Sequence, residues 1–323
     1  MLKHKEDVND SGGVVPDRGL HRLTILLASM TLMLLVAGAL VTSNEAGDSV
    51  PDWPLSFGRW VISSNHFIAN VRFEYSHRVI AFLVGATTLA LAIRAWMAGR
   101  PLTRKLALIA FAGVVGQALI GGARVSFPAY KPLIAVPHAL VAQSFFGLIV
   151  TLAVLTSAAW HRAEVLNEDP ALQRARRLAI ITVCALLVQA ALGAGFRHRA
   201  FGVAPHIAGA IVVSFITIWT VLVILRRQSR EAYLRRPAIA VLVLLSCQVT
   251  LGILAYAARL KSYNDPQPLE PMITLTVAHV IVGALTLASV VVLGLRCWRT
   301  LTLARQRKAM VRVSLNNESI AAA

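Results

Sequence analysis

Four histidines occur at similar depths in alternate apolar segments of the chain. A single histidine on an apolar helix is usually a hydrogen-bonded packing residue. Ionisable residues within membrane spans, however, are costly to bury and tend to be functional. The presence of one histidine in each alternate segment, near the start of that segment, therefore predicts a metal or cofactor site. The four are His77, His138, His206 and His279.

The spacing of these histidines indicates which kind of site they form. It is too long for a local zinc motif, in which two histidines of one helix bind the metal together. Two histidines on neighbouring helices instead suit bis-axial ligation of heme iron inside a four-helix bundle. The pattern predicts two hemes, one held by each pair of histidines.

One carboxylate distinguishes the first histidine from the others. Glu74 precedes His77 by three residues, so the two share a helix face if the helix has already begun there. Such a carboxylate could orient a water, take up protons or stabilise a cationic intermediate. It could also simply form a salt bridge to Arg72 or Arg78. The corresponding positions before the other histidines carry no charge: Ala135, Val203 and Thr276.

Composition indicates that these residues are carried by membrane helices. The chain is 57% hydrophobic and 15% charged, whereas soluble domains carry about 25% charge. Stretches of about 20 apolar residues can cross a bilayer. The fold class predicted is all-α integral membrane, with eight spans in two pseudo-symmetric four-helix bundles. The spans are 23–43, 76–97, 104–124, 133–160, 178–196, 202–225, 237–257 and 272–295.

Charge distribution predicts the orientation. Most of the 32 Lys and Arg residues fall in the two terminal tails and in the loops after spans 2, 4 and 6. The positive-inside rule places these segments, and so both termini, in the cytoplasm. It also puts all four histidines near the extracytoplasmic side. The net charge of +17 is then explained by topology and anionic lipid, not by nucleic-acid binding.

The predicted division of the chain follows from these spans. It has five parts: a cytoplasmic tail 1–22, an N-terminal bundle 23–160, a linker 161–177, a C-terminal bundle 178–296 and a cytoplasmic tail 297–323. The outer loop 44–75 contains Trp53 and Trp60 among prolines, which is typical of a segment at the membrane interface. Simple anchoring and a lid over the site both fit this loop.

A Gln-x-x-x-Gly pattern recurs at the outer ends of spans 3, 5 and 7. It comprises Gln117 with Gly121, Gln189 with Gly193 and Gln248 with Gly252. Glutamines in spans commonly form interhelical hydrogen bonds. Other glycines follow the histidines along their own helices, where they could admit a flat porphyrin or allow close helix packing: Gly85, Gly147, Gly209 and Gly283.

Arginines at the outer mouths are candidate partners of heme propionates. Arg124 and Arg197 follow odd-numbered spans, where a cation is favoured at a helix C-terminus in any case. Charge-assisted bonds to carboxylates would suit the same positions.

Taken together, these motifs resemble the heme A synthase family of cytochrome oxidase assembly. The resemblance covers about residues 23–296. It rests on Glu74-Tyr-Ser-His77-Arg78, on the glutamine–glycine motifs of spans 3 and 7, on the later histidines, and on Pro51-Asp52-Trp53-Pro54 in the first outer loop.

The resemblance implies an enzyme that oxidises the C8 methyl of heme O to a formyl group through successive hydroxylations. It implies a resident heme b between His206 and His279, and substrate heme O near His77 and His138, with Glu74 required for catalysis. It further implies a location in the cell inner (cytoplasmic) membrane, a heme O synthase (farnesyltransferase) as supplier and an electron-transfer partner. A homo-oligomer is compatible with it.

Two other functions remain open from the residues alone. A diheme cytochrome could carry electrons, for example from quinol, without modifying heme, and a transporter or chaperone could move heme. Ligands confined to one leaflet disfavour a transmembrane electron path. A carboxylate in one half only favours chemistry over transport.

Overall fold

The computed structural model describes residues 17–161, 170–227, 232–261 and 269–321. This part of the chain is all-α and contains eight helices long and apolar enough to cross a membrane. The predicted all-α, eight-span membrane fold is confirmed. The helices are α1 (Arg18–Ser43), α2 (Val71–Met97), α3 (Pro101–Ser126), α4 (Lys131–Thr156), α5 (Pro170–Arg197), α6 (Ala204–Arg227), α7 (Ala232–Lys261) and α8 (Glu270–Ala321).

Most helices extend beyond the predicted spans, because apolarity marks the part of a helix in lipid whereas backbone hydrogen bonds continue into polar flanks. α1 begins inside the predicted tail 1–22, where the Asp17 side chain accepts a hydrogen bond from the Leu20 amide at 3.0 Å. α5 begins inside the predicted linker, and α8 continues through the predicted tail 297–323. Parts of these segments lie outside the described residues: 1–16, 162–169 and 322–323.

One helix is shorter than predicted. α4 ends at Thr156 instead of residue 160, because Ser157 takes an extended conformation. A single helical turn, Ala158–His161, follows this break.

The long helices pack in two closed rings. α1 and α3 each contact both α2 and α4, and α5 and α7 each contact both α6 and α8. We call these sets the N-terminal group (α1–α4) and the C-terminal group (α5–α8). α1 and α4 contact α8, and α4 also contacts α5, so the two groups lie side by side.

The apolar core of each group lies at the end away from the histidines. In the N-terminal group it includes Leu20, Leu91 and Ile149, which are fully buried. In the C-terminal group it includes Leu172 and Leu293. These clusters hold the helices together at one end of each group, and the histidines lie toward the other end.

Candidate heme sites

Each of the four histidine rings lies against a glycine on a neighbouring helix. A methyl group at the facing glycine would lie 2.9–3.2 Å from Cε1 of the ring, closer than ordinary contact allows. The glycines therefore make room for the rings. The pairs are His77 with Gly38, His138 with Gly121, His206 with Gly193 and His279 with Gly252.

Three of these glycines belong to the Gln-x-x-x-Gly motifs, and the glutamines contact the same histidines. Gln189 Nε2 lies 3.0 Å from His206 Nδ1 and donates to its carbonyl oxygen at 2.8 Å. Gln248 Nε2 lies 3.2 Å from His279 Nε2. Gln117 Nε2, by contrast, donates only to the His138 carbonyl, at 2.8 Å. The motif thus positions a histidine of the adjacent helix.

The glycines that follow the histidines on their own helices have other neighbours. Gly209 lies against the Gln189 side chain and Gly283 against that of Gln248. Gly147 approaches Val291 of α8, and nothing lies within 4 Å of where a side chain at Gly85 would begin. Two of these four glycines therefore hold glutamines, not histidine rings.

The C-terminal histidines face each other. The ring centroids of His206 and His279 are 6.2 Å apart and the ring planes meet at 81°. His279 Nδ1 lies 3.0 Å from the Gln248 carbonyl oxygen. A metal-binding histidine typically donates its second ring N–H to such a group. Two imidazole–metal bonds of about 2 Å each, together with the ring radii, span about this separation.

The N-terminal histidines are held differently. The Nδ1 atoms of His77 and His138 are both buried and have no hydrogen-bond partner. In α1, Leu34 occupies the position four residues before the glycine, where the other three helices carry glutamine. His77 therefore lacks the amide that its counterparts have.

These observations fit heme in both groups. Buried, unpartnered ring nitrogens are costly unless something binds them, and a glycine beside each ring removes side-chain bulk where a flat macrocycle would lie. The side-chain oxygens of Gln117, Gln189 and Gln248 are likewise buried without partners. Paired imidazoles are a common donor set for heme iron.

Glu74 is buried at the histidine end of the N-terminal group, with 5% of its surface exposed. α2 begins at Val71, so Glu74 and His77 lie in the same helix, as the sequence interpretation required. Oε1 accepts a hydrogen bond from Arg78 Nη2 at 2.7 Å. The predicted alternative of an ion pair with Arg78 is therefore present, and it leaves the proposed catalytic role of Glu74 untested.

The two candidate propionate partners, Arg124 and Arg197, lie in the last turns of α3 and α5, at the junction of the groups. Arg197 Nη2 donates to Ser43 Oγ at 2.7 Å, which ties the end of α5 to the end of α1. The Arg124 guanidinium lies against Gly47, and its Nε is buried without a partner.

His198 belongs to the same junction, although the sequence analysis did not select it. Burial, followed by the charges of Arg124, Arg197 and His138, lowers the pKa of His198 to about 4. The sequence offered one signal for His198, its position between Arg197 and Arg199, because Arg197 is a candidate propionate partner. A single sequence does not show that the end of α5, next to His198, lies close to Arg124 of the N-terminal group.

Comparison with known proteins finds a family model that matches part of this chain. Residues 61–206 match the model of the COX15-CtaA family, described as cytochrome oxidase assembly protein. The resemblance to the heme A synthase family is confirmed. The matched residues include Glu74, His77, His138 and His206; His279 lies beyond them.

Several curated bacterial proteins named heme A synthase are similar to this chain. The protein of Halalkalibacterium halodurans is 32% identical over 148 residues, which cover 44% of this chain and 48% of the relative. That of Alkalihalophilus pseudofirmus is 35% identical over 136 residues, covering 41% and 44%. That of Geobacillus kaustophilus is 35% identical over 127 residues, covering 38% and 39%. The chain thus spans about half the length, or less, of the curated relatives it matches.

Proposed function

We propose that this membrane protein is a heme A synthase, which oxidises the C8 methyl of heme O to a formyl group for cytochrome c oxidase assembly. The observation that carries the proposal is the difference between the two histidine pairs. His77 and His138 each have a buried Nδ1 without a hydrogen-bond partner, and Glu74 lies in the helix of His77, whereas glutamine side chains lie beside the rings of His206 and His279. The similarity of residues 61–206 to heme A synthases supports the same function.

In this proposal the C-terminal group holds a resident heme b through His206 and His279. When bound, this heme supplies one-electron redox chemistry. Gln189 and Gln248 orient the two rings, and Gly193 and Gly252 leave them room. Oriented ligands bind a metal more tightly than mobile ones.

The N-terminal group receives heme O as substrate near His77 and His138. The glutamine missing from α1 leaves the His77 ring free of the amide support seen at the resident site, which suits a ligand that must come and go. Glu74 holds or transfers protons on the outer side of this site, the role expected of a carboxylate beside a hydroxylation centre. Arg124 and Arg197 bind propionates at the outer junction.

The expected setting follows from the charge distribution. The protein lies in the bacterial inner membrane with both termini cytoplasmic, and both heme sites lie near the outer leaflet. A heme O synthase supplies the substrate, and an electron-transfer partner removes the electrons released by oxidation. Self-association is compatible with this arrangement.

Co-expression with a heme O producer tests the proposal. Pigments extracted from the membranes and analysed by mass spectrometry should contain heme A or its hydroxylated intermediate. A preparation that binds heme yet contains only unmodified heme O would favour the diheme electron carrier.

Substituting Glu74→Gln tests the carboxylate. The variant should keep its resident heme spectrum and lose heme A formation by at least about 100-fold, the lower range for a general acid or base. Normal product formation in this variant would remove Glu74 from the chemistry.

A further inference from the structure

The outer segment Val50–Ser56 is fastened to α2 by one arginine. Arg78 Nη1 donates to the carbonyl oxygens of Asp52 at 2.6 Å and Leu55 at 2.9 Å. Nη2 donates to Glu74 Oε1 at 2.7 Å and approaches the Val50 carbonyl at 3.4 Å. With a further contact from Nη1 to Ser56 Oγ at 3.4 Å, one guanidinium thus holds four points of the segment at once.

Glu74 completes the same attachment. Its Oε2 accepts a hydrogen bond from the Val50 amide at 3.0 Å and another from Ser49 Oγ at 3.1 Å. The Glu74 carboxylate and the Arg78 guanidinium therefore form an ion pair, and each also hydrogen-bonds to the backbone of the segment. Such a fork of planar donors is specific to arginine, because a lysine ammonium is a compact point charge.

The fastened segment reaches across to α3. The Trp53 ring lies directly against Gly122, at a distance that a side chain at this position would not permit. The preceding residue, Gly121, is the glycine that faces His138. Val50 and Ser56, at the two ends of the segment, are buried, with 0% and 4% of their surfaces exposed. The segment therefore connects the start of α2, which carries His77, with the part of α3 that supports His138.

We propose that Arg78 is a positioning residue of the N-terminal site, which closes Val50–Ser56 over the histidine pair and seats Trp53 on Gly122. The proposal rests on the proposed function in that the ligand of this site is heme O. Arg78 acts through the segment and through α3, without touching the reacting atoms. In the closed state the segment limits access of water and substrate from the outer side.

A buried reporter thiol measures the closure without any substrate. Val50→Cys places a thiol at a fully buried position whose backbone atoms, not its side chain, make the contacts with Glu74 and Arg78. A membrane-impermeant maleimide should label it slowly. The parent protein gives the background from Cys184, Cys247 and Cys297.

Adding Arg78→Gln to the reporter should raise the labelling rate at least about tenfold, because several charge-assisted hydrogen bonds are lost together. Arg72→Gln is the matched control, since it removes the same charge from an exposed position of the same helix. Equal labelling rates in the two variants would overturn the proposal. This result is independent of whether the protein makes heme A, so it separates failure of the closure from failure of the proposed function.

Binding of heme O then tests whether closure serves the site. Arg78→Gln should weaken heme O binding about tenfold, in proportion to the lost closed population, and leave the resident heme spectrum unchanged. Faster labelling with unaltered heme O affinity would show a structural loop only, and would overturn the positioning role.

Two further variants keep the test decisive if Arg78→Gln does not fold. Arg78→Lys retains a cation for Glu74 but not the fork, and should label faster than the parent reporter. Gly122→Ala displaces Trp53 and should weaken heme O binding, whereas Gly116→Ala in the same helix, where nothing lies within 4 Å, should not. Equal heme O affinities of the two glycine variants would contradict the proposal.

Discussion

The two helix groups use the same device to place a histidine and differ in how they support it. In both, a histidine near the start of one helix packs on a glycine of its neighbour. In the C-terminal group, glutamine amides also approach the ring nitrogens of His206 and His279. In the N-terminal group, Gln117 reaches only a backbone oxygen, and α1 carries Leu34 in place of a glutamine.

The difference indicates how one fold can hold two similar ligands for two purposes. Second hydrogen bonds fix a ligand ring and favour permanent binding. Among the described residues no glutamine amide lies within hydrogen-bond distance of a ring nitrogen of His77 or His138, which suits a site that must exchange its ligand. The segment Val50–Ser56 is a second difference, because Arg78 and Glu74 hold it against the N-terminal group.

Filling the glycine that faces a C-terminal histidine should have a large effect. Gly193→Ala or Gly252→Ala puts a methyl group 2.9 Å from Cε1 of its histidine, so the ring must move. Affinity for resident heme should fall about 10-fold to 100-fold, as when other ligand supports are removed. Heme content per protein measures this. Gly85→Ala, with nothing within 4 Å, is the control; an equal loss there would show nonspecific helix damage.

Removing a glutamine should have a smaller effect that differs between the groups. Gln189→Leu removes an amide 3.0 Å from a ring nitrogen of His206. The midpoint potential of the resident heme should shift by tens of millivolts, since about 59 mV corresponds to a tenfold change for one electron. Gln117→Leu should leave that potential unchanged. Redox titration followed by absorbance distinguishes the two, and equal shifts would break the comparison.

The smallest expected effect lies at His161, beside Arg100 of the N-terminal group and Arg299 of the C-terminal group. Burial, then the charges of Arg100 and Arg299, lowers the pKa of His161 below 6.5. The unfolded chain therefore takes up this proton first, so folded stability should decline as pH falls below about 6.5. Melting temperatures at pH 7.5, 6.5 and 5.5 should show the decline, and His161→Gln should reduce it. An identical slope in the variant would contradict this assignment.

Much of the fold could be predicted because membrane spans are long and apolar, and because ionisable residues inside them stand out. The four histidines were selected for this reason, and Glu74 was selected because it precedes His77 by three residues. The glycines beside the rings were harder, because they lie on neighbouring helices and pairing of helices is not visible in one sequence. Gly38 does not belong to a Gln-x-x-x-Gly motif, so the sequence does not indicate that it faces His77. His198 lies near Arg124 and His138 because the two groups contact each other.

Substituting one histidine in each group tests most directly whether the two groups bind different hemes. Resident b-type absorbance and heme O binding should be measured on His77→Ala and His279→Ala purified side by side. We expect His279→Ala to lose the resident spectrum, and His77→Ala to keep it but lose heme O binding and heme A formation. Loss of the same heme signal in both variants would contradict a division of labour between the two groups.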